Sequence, residues 1–407
     1  MTIGVAGPIN LQILDWDLKG TNLPPTNAFP LTSHFINALL KRGFKVIAYT
    51  NSTEIAEPMV LESGNLKVCI SRQKPQPGRR FFLFEVKDLR RMMAAHPADF
   101  ISAFWSYEYA WAALKTGKPT VVSLHDVAFQ ILRKIPDMFR LVRWMINYIV
   151  VSKANFLIAN SVYTYNQLDN RTKTKTRVID NFYPCTLEQR LAATAHKGNY
   201  IITVAQGFTH RKNIETGLQA FSILRKQFPD LEYFLVGVDS EEGGLAQQYA
   251  HKHNLTDGVR FVGPLPYDEV FGLIQNAQVL LHPSREESFG MVLLEAMIAR
   301  TPVVGGESSG YIPHLLNYGK AGLLCDVNSP DSMAAEVGRI LSDKMLYQAL
   351  VQEGYNYAEG NFSEDVIIDK HLAYYSDIMG KPFQPDVPLY EPDEAFHRNT
   401  IPTAKQH

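Results

Sequence analysis

Glu287 and Glu295, separated by seven residues, lie in the stretch 279–304, V-L-L-H-P-S-R-E-E-S-F-G-M-V-L-L-E-A-M-I-A-R-T-P-V-V. Its pattern predicts a strand ending at Pro283-Ser284, a charged turn, and a helix capped by Ser288 that runs to about Ala299. Gly290 in the first turn of that helix would let a ligand approach the backbone closely. The open N–H groups and the positive dipole end there suit a phosphate or a sugar hydroxyl. Glu287 falls just before the helix and Glu295 two turns into it, so both carboxylates can face one cleft. Carboxylates so placed accept hydrogen bonds from the paired hydroxyls of a ribose or a hexose. In the first half of the chain, His125-Asp126 follows the apolar run 121–124. A histidine at the C-terminal end of a strand points into the cleft of a parallel α/β sheet.

Positioning these groups requires strands and helices in alternation. Apolar runs at 2–6, 45–49, 100–104, 120–123 and 156–158 read as buried strands, and 31–42 reads as a helix stopped by Gly43. The stretch 184–199 is polar and breaks the alternation, marking a linker. The pattern restarts with strands at 200–204, 233–236, 259–262, 279–281, 302–304 and 322–325, and with a helix at 214–227. Two α/β units of about equal size are expected: residues 1–183 and 200–362. A last helix at 363–379 is expected to return to the first unit, and 380–407 reads as an extended or disordered tail.

At 407 residues with 46% hydrophobic content, the chain is long enough for two cores. Its formal charge of −1 hides an asymmetry: residues 1–180 carry a net +10 and the remainder −11. A basic half facing an acidic half implies units with different partners. Cys69, Cys185 and Cys325 are far apart and form no C-x-x-C pair, which points away from a disulfide framework or a zinc site and toward a reducing, cytoplasmic compartment. The N-terminus lacks the pattern of a signal peptide, and no apolar run approaches membrane-spanning length. No G-x-G-x-x-G follows a strand, which argues against a dinucleotide dehydrogenase.

The stretch 279–304 strongly resembles the E-x7-E signature of glycosyltransferase family 4, whose members are retaining enzymes of the GT-B fold, two Rossmann-like domains with a cleft between them. The resemblance covers most of the chain and is strongest over 200–330. It departs at Ala299-Arg300, where the family usually has glycine. It implies that Glu287 contacts the transferred sugar, that Glu295 holds the ribose hydroxyls, and that the backbone of Ser288, Phe289, Gly290 and Met291 lies along sugar and pyrophosphate. T-V-A-Q-G-F-T-H-R-K-N at 203–213 resembles the family's V-G-R-x-x-x-x-K-G segment, whose cations neutralise the diphosphate. Lys212 matches the lysine; Gly207 stands at the arginine, and Arg211 is the candidate substitute. Val259 to Leu265, with Gly263, resembles the strand that passes the nucleotide base. His125 matches a histidine beside the donor sugar, and Asn181 the asparagine of the I-P-N-G turn. Pro25 to Phe29 replaces a glycine-rich loop, Ser308-Ser309-Gly310 stands where the family has a glycine pair flanking the donor, and Pro313-His314 replaces a Pro-Glu.

The resemblance implies transfer of a sugar from a nucleoside diphosphate to a hydroxyl of a glycan or lipid-linked acceptor, of the kind found in polysaccharide assembly. It implies no metal or other cofactor and no nucleic-acid partner. A sugar phosphorylase or nucleotide-sugar epimerase on the same fold, and a non-catalytic partner subunit, remain open as alternatives. Asp15-Trp16-Asp17 is a D-x-D triplet without the surroundings of a metal site, and His251 and His253 read as an exposed helix end. Two basic-aromatic stretches, Arg79 to Phe84 and Arg133 to Trp144, could rest on anionic lipid at the inner face of a membrane.

Overall fold

The computed structural model describes residues 1–18, 22–191 and 196–384. Two sheets organise the chain. In the first, β1 (Thr2–Ala6), β2 (Lys45–Ser52), β3 (Met59–Ser63), β4 (Leu66–Arg72), β5 (Phe100–Phe104), β6 (Thr120–Leu124), β7 (Phe156–Ala159) and β8 (Thr176–Val178) lie in the order β3-β4-β2-β1-β5-β6-β7-β8. In the second, β9 (Tyr200–Val204), β10 (Glu232–Val236), β11 (Val259–Gly263), β12 (Val279–His282), β13 (Val303–Gly306) and β14 (Leu323–Cys325) lie in the order β11-β10-β9-β12-β13-β14. Every pairing is parallel except the antiparallel β3·β4 hairpin. These are two Rossmann-like α/β domains.

The central strands are largely apolar and buried along nearly their whole length, because helices cover both faces of each sheet. Each sheet therefore has a core cluster on either side. Strands β3, β4 and β8 were not legible as strands. The β3 edge is largely exposed, β4 mixes Lys67 and Arg72 into its apolar positions, and β8 has only three residues. Within the polar stretch between the domains, Thr186–Gln189 forms a helical turn. Lys197 is anchored on the second domain, where its Nζ donates to the carbonyls of Gln275 and Ala277 at 2.8 and 2.9 Å. Residues 192–195 of that stretch lie outside the described residues.

The last helix, Glu364–Met379, packs into the core of the first domain rather than the second. Ile367, Ile368 and Tyr375 are fully buried there, and the Tyr375 hydroxyl donates to Ser102 Oγ at 2.8 Å. The chain stays attached beyond it: Phe383 packs edge-on against Phe100 and Tyr375, and its amide donates to Ser376 Oγ at 3.0 Å. The tail read as extended or disordered from residue 380 is thus docked as far as Phe383, because Phe383 supplies an aromatic ring that the core of the first domain can bury. Residues 385–407 lie outside the described residues. All three cysteines are free thiols.

Candidate active site

The C-terminal ends of the two sheets face each other across a cleft of about 760 Å3, the place where parallel α/β sheets bind ligands. From the first domain it is lined by His125 and Asp126 after β6, Asn160 after β7 and Asn181 after β8; from the second, by Lys212, His282 and the segment Glu286 to Met291. Direct bonds join the two banks. Ser161 Oγ donates to the Ser288 carbonyl at 2.6 Å, Tyr163 Oη to Glu286 Oε1 at 2.8 Å and Tyr311 Oη to Asp180 Oδ1 at 2.6 Å. Lys134 adds an ion pair to Glu286.

Glu287 is the most heavily supported side chain in the cleft. Lys212 Nζ donates to its Oε1 at 2.7 Å, His282 Nε2 lies 3.3 Å from the same oxygen, and Arg211 Nη1 is 3.6 Å from Oε2. Burial by itself would raise the carboxyl. The hydrogen bond from His282 and the charge of Lys212 outweigh it and hold the group well below the usual carboxylate range. Burial lowers the pKa of His282, so a neutral ring donates through Nε2–H and Lys212 carries the charge. The Glu287 backbone is pinned as well: its carbonyl accepts from Tyr311 N–H at 3.0 Å, and it bridges Gly310. Gly310 has φ +68°, and a Cβ there would lie 2.3 Å from the Glu287 carbonyl oxygen, so this buttress requires glycine. The 308–310 turn therefore supports Glu287 from behind.

The loop that brings Lys212 is fixed by Asn213. Its Nδ2 donates to the carbonyls of Pro283 and Val327 at 3.0 and 2.7 Å, clamping the β9 loop onto the end of β12. Arg211 sits half exposed on the rim and lines the cleft. Gly207 and Gly263 are outside the cleft lining. Gly207 turns the chain at φ +88°, and Gly263, at φ +76°, passes so close to Glu241 that a Cβ would meet its Cβ at 2.7 Å.

The helix after Glu287 starts at Met291, later than the sequence suggests, and Ser288 does not cap it. Gly290 is the capping residue, at φ +100°, and no side chain closes the helix end. The reason is steric: a residue in that conformation must be glycine, and a Cβ would strike Ile312 Cδ1 at 2.7 Å. Ser288 and Met291 line the cleft, and Phe289 is buried, stacked on Tyr311 with centroids 5.1 Å apart. The helix ends into Arg300 at φ +56°, a left-handed position that explains why glycine is usual there. Glu295 projects into the cleft and accepts from Tyr267 Oη at 3.1 Å. Burial pushes its carboxyl up to about 7.

Opposite this cluster, His125 is stacked on Phe104 at 5.4 Å, with Phe29 and Trp105 edge-on to it. Neither ring nitrogen has a hydrogen-bond partner. Burial lowers its pKa to about 4, so the ring is neutral at pH 7 and has one donor and one acceptor to offer. The Pro25–Phe29 loop contributes an aromatic wall where glycines were absent: Phe29 stacks on Trp105 at 4.6 Å. Asp15 and Asp17 are exposed, and their amides are bound by Asn37 and Ser63. Sequence reasoning missed His282, Tyr267, Trp105 and Glu286. The argument that singled out His125 applies equally to His282, the last residue of β12. Tyr267 and Trp105 carry no local signal, since each matters only through a fold-distant neighbour.

Comparisons with known proteins agree with the two-domain fold. The family model described as Glycosyltransferase Family 4 matches residues 31–186, and the one described as Glycosyl transferases group 1 matches residues 188–357. The N-acetyl-alpha-D-glucosaminyl L-malate synthase of Bacillus anthracis is 25% identical over 64% of this chain and 68% of its own length. The D-inositol 3-phosphate glycosyltransferase of Corynebacterium urealyticum is 34% identical over 40% of this chain and 41% of its own. Among solved structures, a sucrose-phosphate synthase from Thermosynechococcus elongatus superposes with a TM-score of 0.72 at 20% identity, covering 93% of this chain and 99% of that one. An Anabaena protein solved with UDP and glucose gives 0.65 at 17% identity, covering 93% and 100%.

A ligand whose hydroxyls donate to Glu295 needs that carboxyl ionised, so its affinity must fall as pH drops below about 7. The expected slope is about tenfold per pH unit on the acid side. Calorimetric titration of nucleoside diphosphates between pH 5.5 and 8 measures it, and Glu295→Gln should flatten the profile.

Proposed function

The chain belongs to glycosyltransferase family 4, and we propose that it moves a sugar, with retention of anomeric configuration, from a nucleoside diphosphate to an acceptor hydroxyl. The observation that carries this reading is the Lys212–Glu287–His282 cluster facing the partnerless ring of His125 across the cleft. The diphosphate lies toward Lys212 and Arg211, the ribose toward Glu295, and the transferred sugar between Glu287 and His125. The acceptor oxygen attacks the anomeric carbon on the face that the diphosphate leaves. The bond from that carbon to the diphosphate oxygen breaks, and the diphosphate takes the acceptor proton. Lys212 and Arg211 stabilise charge growing on the leaving group, and the Glu287 carboxylate stabilises positive charge on the sugar. Two cations suit a diphosphate, so this chemistry needs no metal ion, and turnover is expected to survive EDTA.

The acceptor is a glycan or a lipid-linked molecule, and the basic first domain rests peripherally on the inner face of a membrane. No helix among the described residues is long and apolar enough to cross one. The helix Met138–Lys153 supports contact from the surface. Val142, Ile146 and Val150 bury one face, while Met138, Met145 and Tyr148 line the other and are 71%, 42% and 68% exposed. Its start packs on the turn that carries exposed Arg79 and Arg80, through Gly78 and Phe139. Exposed apolar side chains with exposed arginines at one end suit an anionic lipid surface.

Thermal shifts against UDP, GDP, ADP and TDP test the donor reading. A ligand at 100 times its Kd adds about 2.7 kcal/mol of stability, and one clear responder is expected. With that donor, Glu287→Ala should reduce kcat by at least about 100-fold while changing donor affinity far less; an unchanged kcat contradicts the assignment. Flotation at low salt should recover the protein with anionic liposomes and not with neutral ones, and recovery with neither contradicts the membrane contact.

A further inference from the structure

Among the described residues, the lysines and arginines that line the central cleft are Lys134, Arg211 and Lys212. Arg211 and Lys212 come from the second domain. Lys134 comes from the first, as the last residue of the short helix Ala128–Lys134. Val127, Gln130, Ile131 and Lys134 recur at helical spacing and all line the cleft, so one face of this helix looks toward the second domain. The Lys134 ammonium is paired with Glu286 Oε2. Arg211 lies beside the same residue, its Nη1 donating to the Glu286 carbonyl at 3.3 Å.

Lys134 is held less firmly than Lys212. Lys212 is largely withdrawn from water on Glu287, whereas about half of the Lys134 side chain is exposed. Its flexible stem ends in a point charge with three rotatable donors. Glu286 does not depend on it alone, because Tyr163 Oη donates to the other carboxylate oxygen, Oε1, at 2.8 Å. Lys134 can therefore leave Glu286 with that carboxylate still hydrogen-bonded. Burial and the charge of Arg211 both lower the Lys134 pKa, and an anion between the two cations relieves their repulsion. Three cations face the adjacent carboxylates of Glu286 and Glu287, which leaves one positive charge against a diphosphate that brings more than one negative charge. Gly207, where the resemblance to the family calls for an arginine, lies outside the cleft lining and adds none.

We propose that Lys134 is a diphosphate-binding residue delivered by the first domain. Glu286 holds it until the donor arrives, and its ammonium then turns onto the diphosphate from the side opposite Lys212 and Arg211. It supplies from the first domain the charge that Gly207 omits from the second. Lys134 keeps its proton throughout and acts by charge alone as the bond from the anomeric carbon to the diphosphate oxygen breaks. The leaving group is then fully countered only when the two domains are together. This inference rests on the transferase reading above.

The full chain and its variants Lys134→Met, Lys134→Arg and Glu286→Gln are titrated by calorimetry with UDP, GDP, ADP and TDP and with their parent nucleosides. Lys134→Met is expected to lower the preference for the responding diphosphate over its nucleoside by about 3- to 10-fold. The nucleoside affinity should stay in place, and Lys134→Arg should restore part of the preference. Glu286→Gln separates this role from that of a strut between the domains. It breaks the same ion pair but leaves the cation, so the preference should hold or rise. An unchanged preference in Lys134→Met, or an equal fall in Lys134→Met and Glu286→Gln, overturns the proposal. A native chain that binds no nucleotide contradicts the transferase reading itself, and this assignment with it.

Discussion

The buried ion pair between Lys212 and Glu287 is the constraint around which the cleft is built. Both side chains are about nine-tenths withdrawn from water, at 13% and 12% exposure. Taking a carboxylate out of water costs several kcal/mol, and only close, well-directed partners return it. Lys212, His282 and Arg211 together provide those partners. Their positions depend in turn on Asn213 clamping the β9 loop, on the end of β12, and on Gly310 holding the Glu287 backbone. Such a pair contributes little to stability. Its value is a fixed carboxylate and a fixed cation on one side of an open cleft.

The second domain supplies these charges, and the first sets the aromatic surround of His125 opposite them. His125 is kept uncharged by burial between Phe104, Phe29 and Trp105. The banks are joined by hydrogen bonds from Ser161, Tyr163 and Tyr311, and by the ion pair of basic Lys134 with acidic Glu286. That pair is a local instance of the charge asymmetry between the halves of the chain. The last helix carries the chain back from the second domain into the core of the first, so a second covalent crossing also limits how far the domains can separate.

Much of this was readable in the residues. The buried strands of both sheets announce themselves as short apolar runs, and the resemblance over 279–304 placed Glu287 and Glu295 at one cleft. What stayed hidden has physical causes. Ser288 looks like a helix cap, but the conformation required at Gly290 shifts the helix start by two residues. His282 is invisible as a partner of Glu287 until the turn between them is folded. Trp105 adopts a backbone conformation that no local propensity favours, and its neighbours Phe29 and His125 are far from it in sequence. Strands β3 and β8 are too exposed or too short to show periodicity, and Phe383 reads as tail because its partners, Phe100 and Tyr375, come from elsewhere in the chain.

The central claim is that Lys212 serves the diphosphate of the donor. Calorimetric titration of the four nucleoside diphosphates and their parent nucleosides, into the native chain and Lys212→Met, addresses it without knowledge of the sugar. One diphosphate should bind the native chain at least about tenfold more tightly than its nucleoside. Lys212→Met should remove most of that difference and leave the nucleoside affinity in place. A diphosphate that binds Lys212→Met as tightly as it binds the native chain would contradict the account.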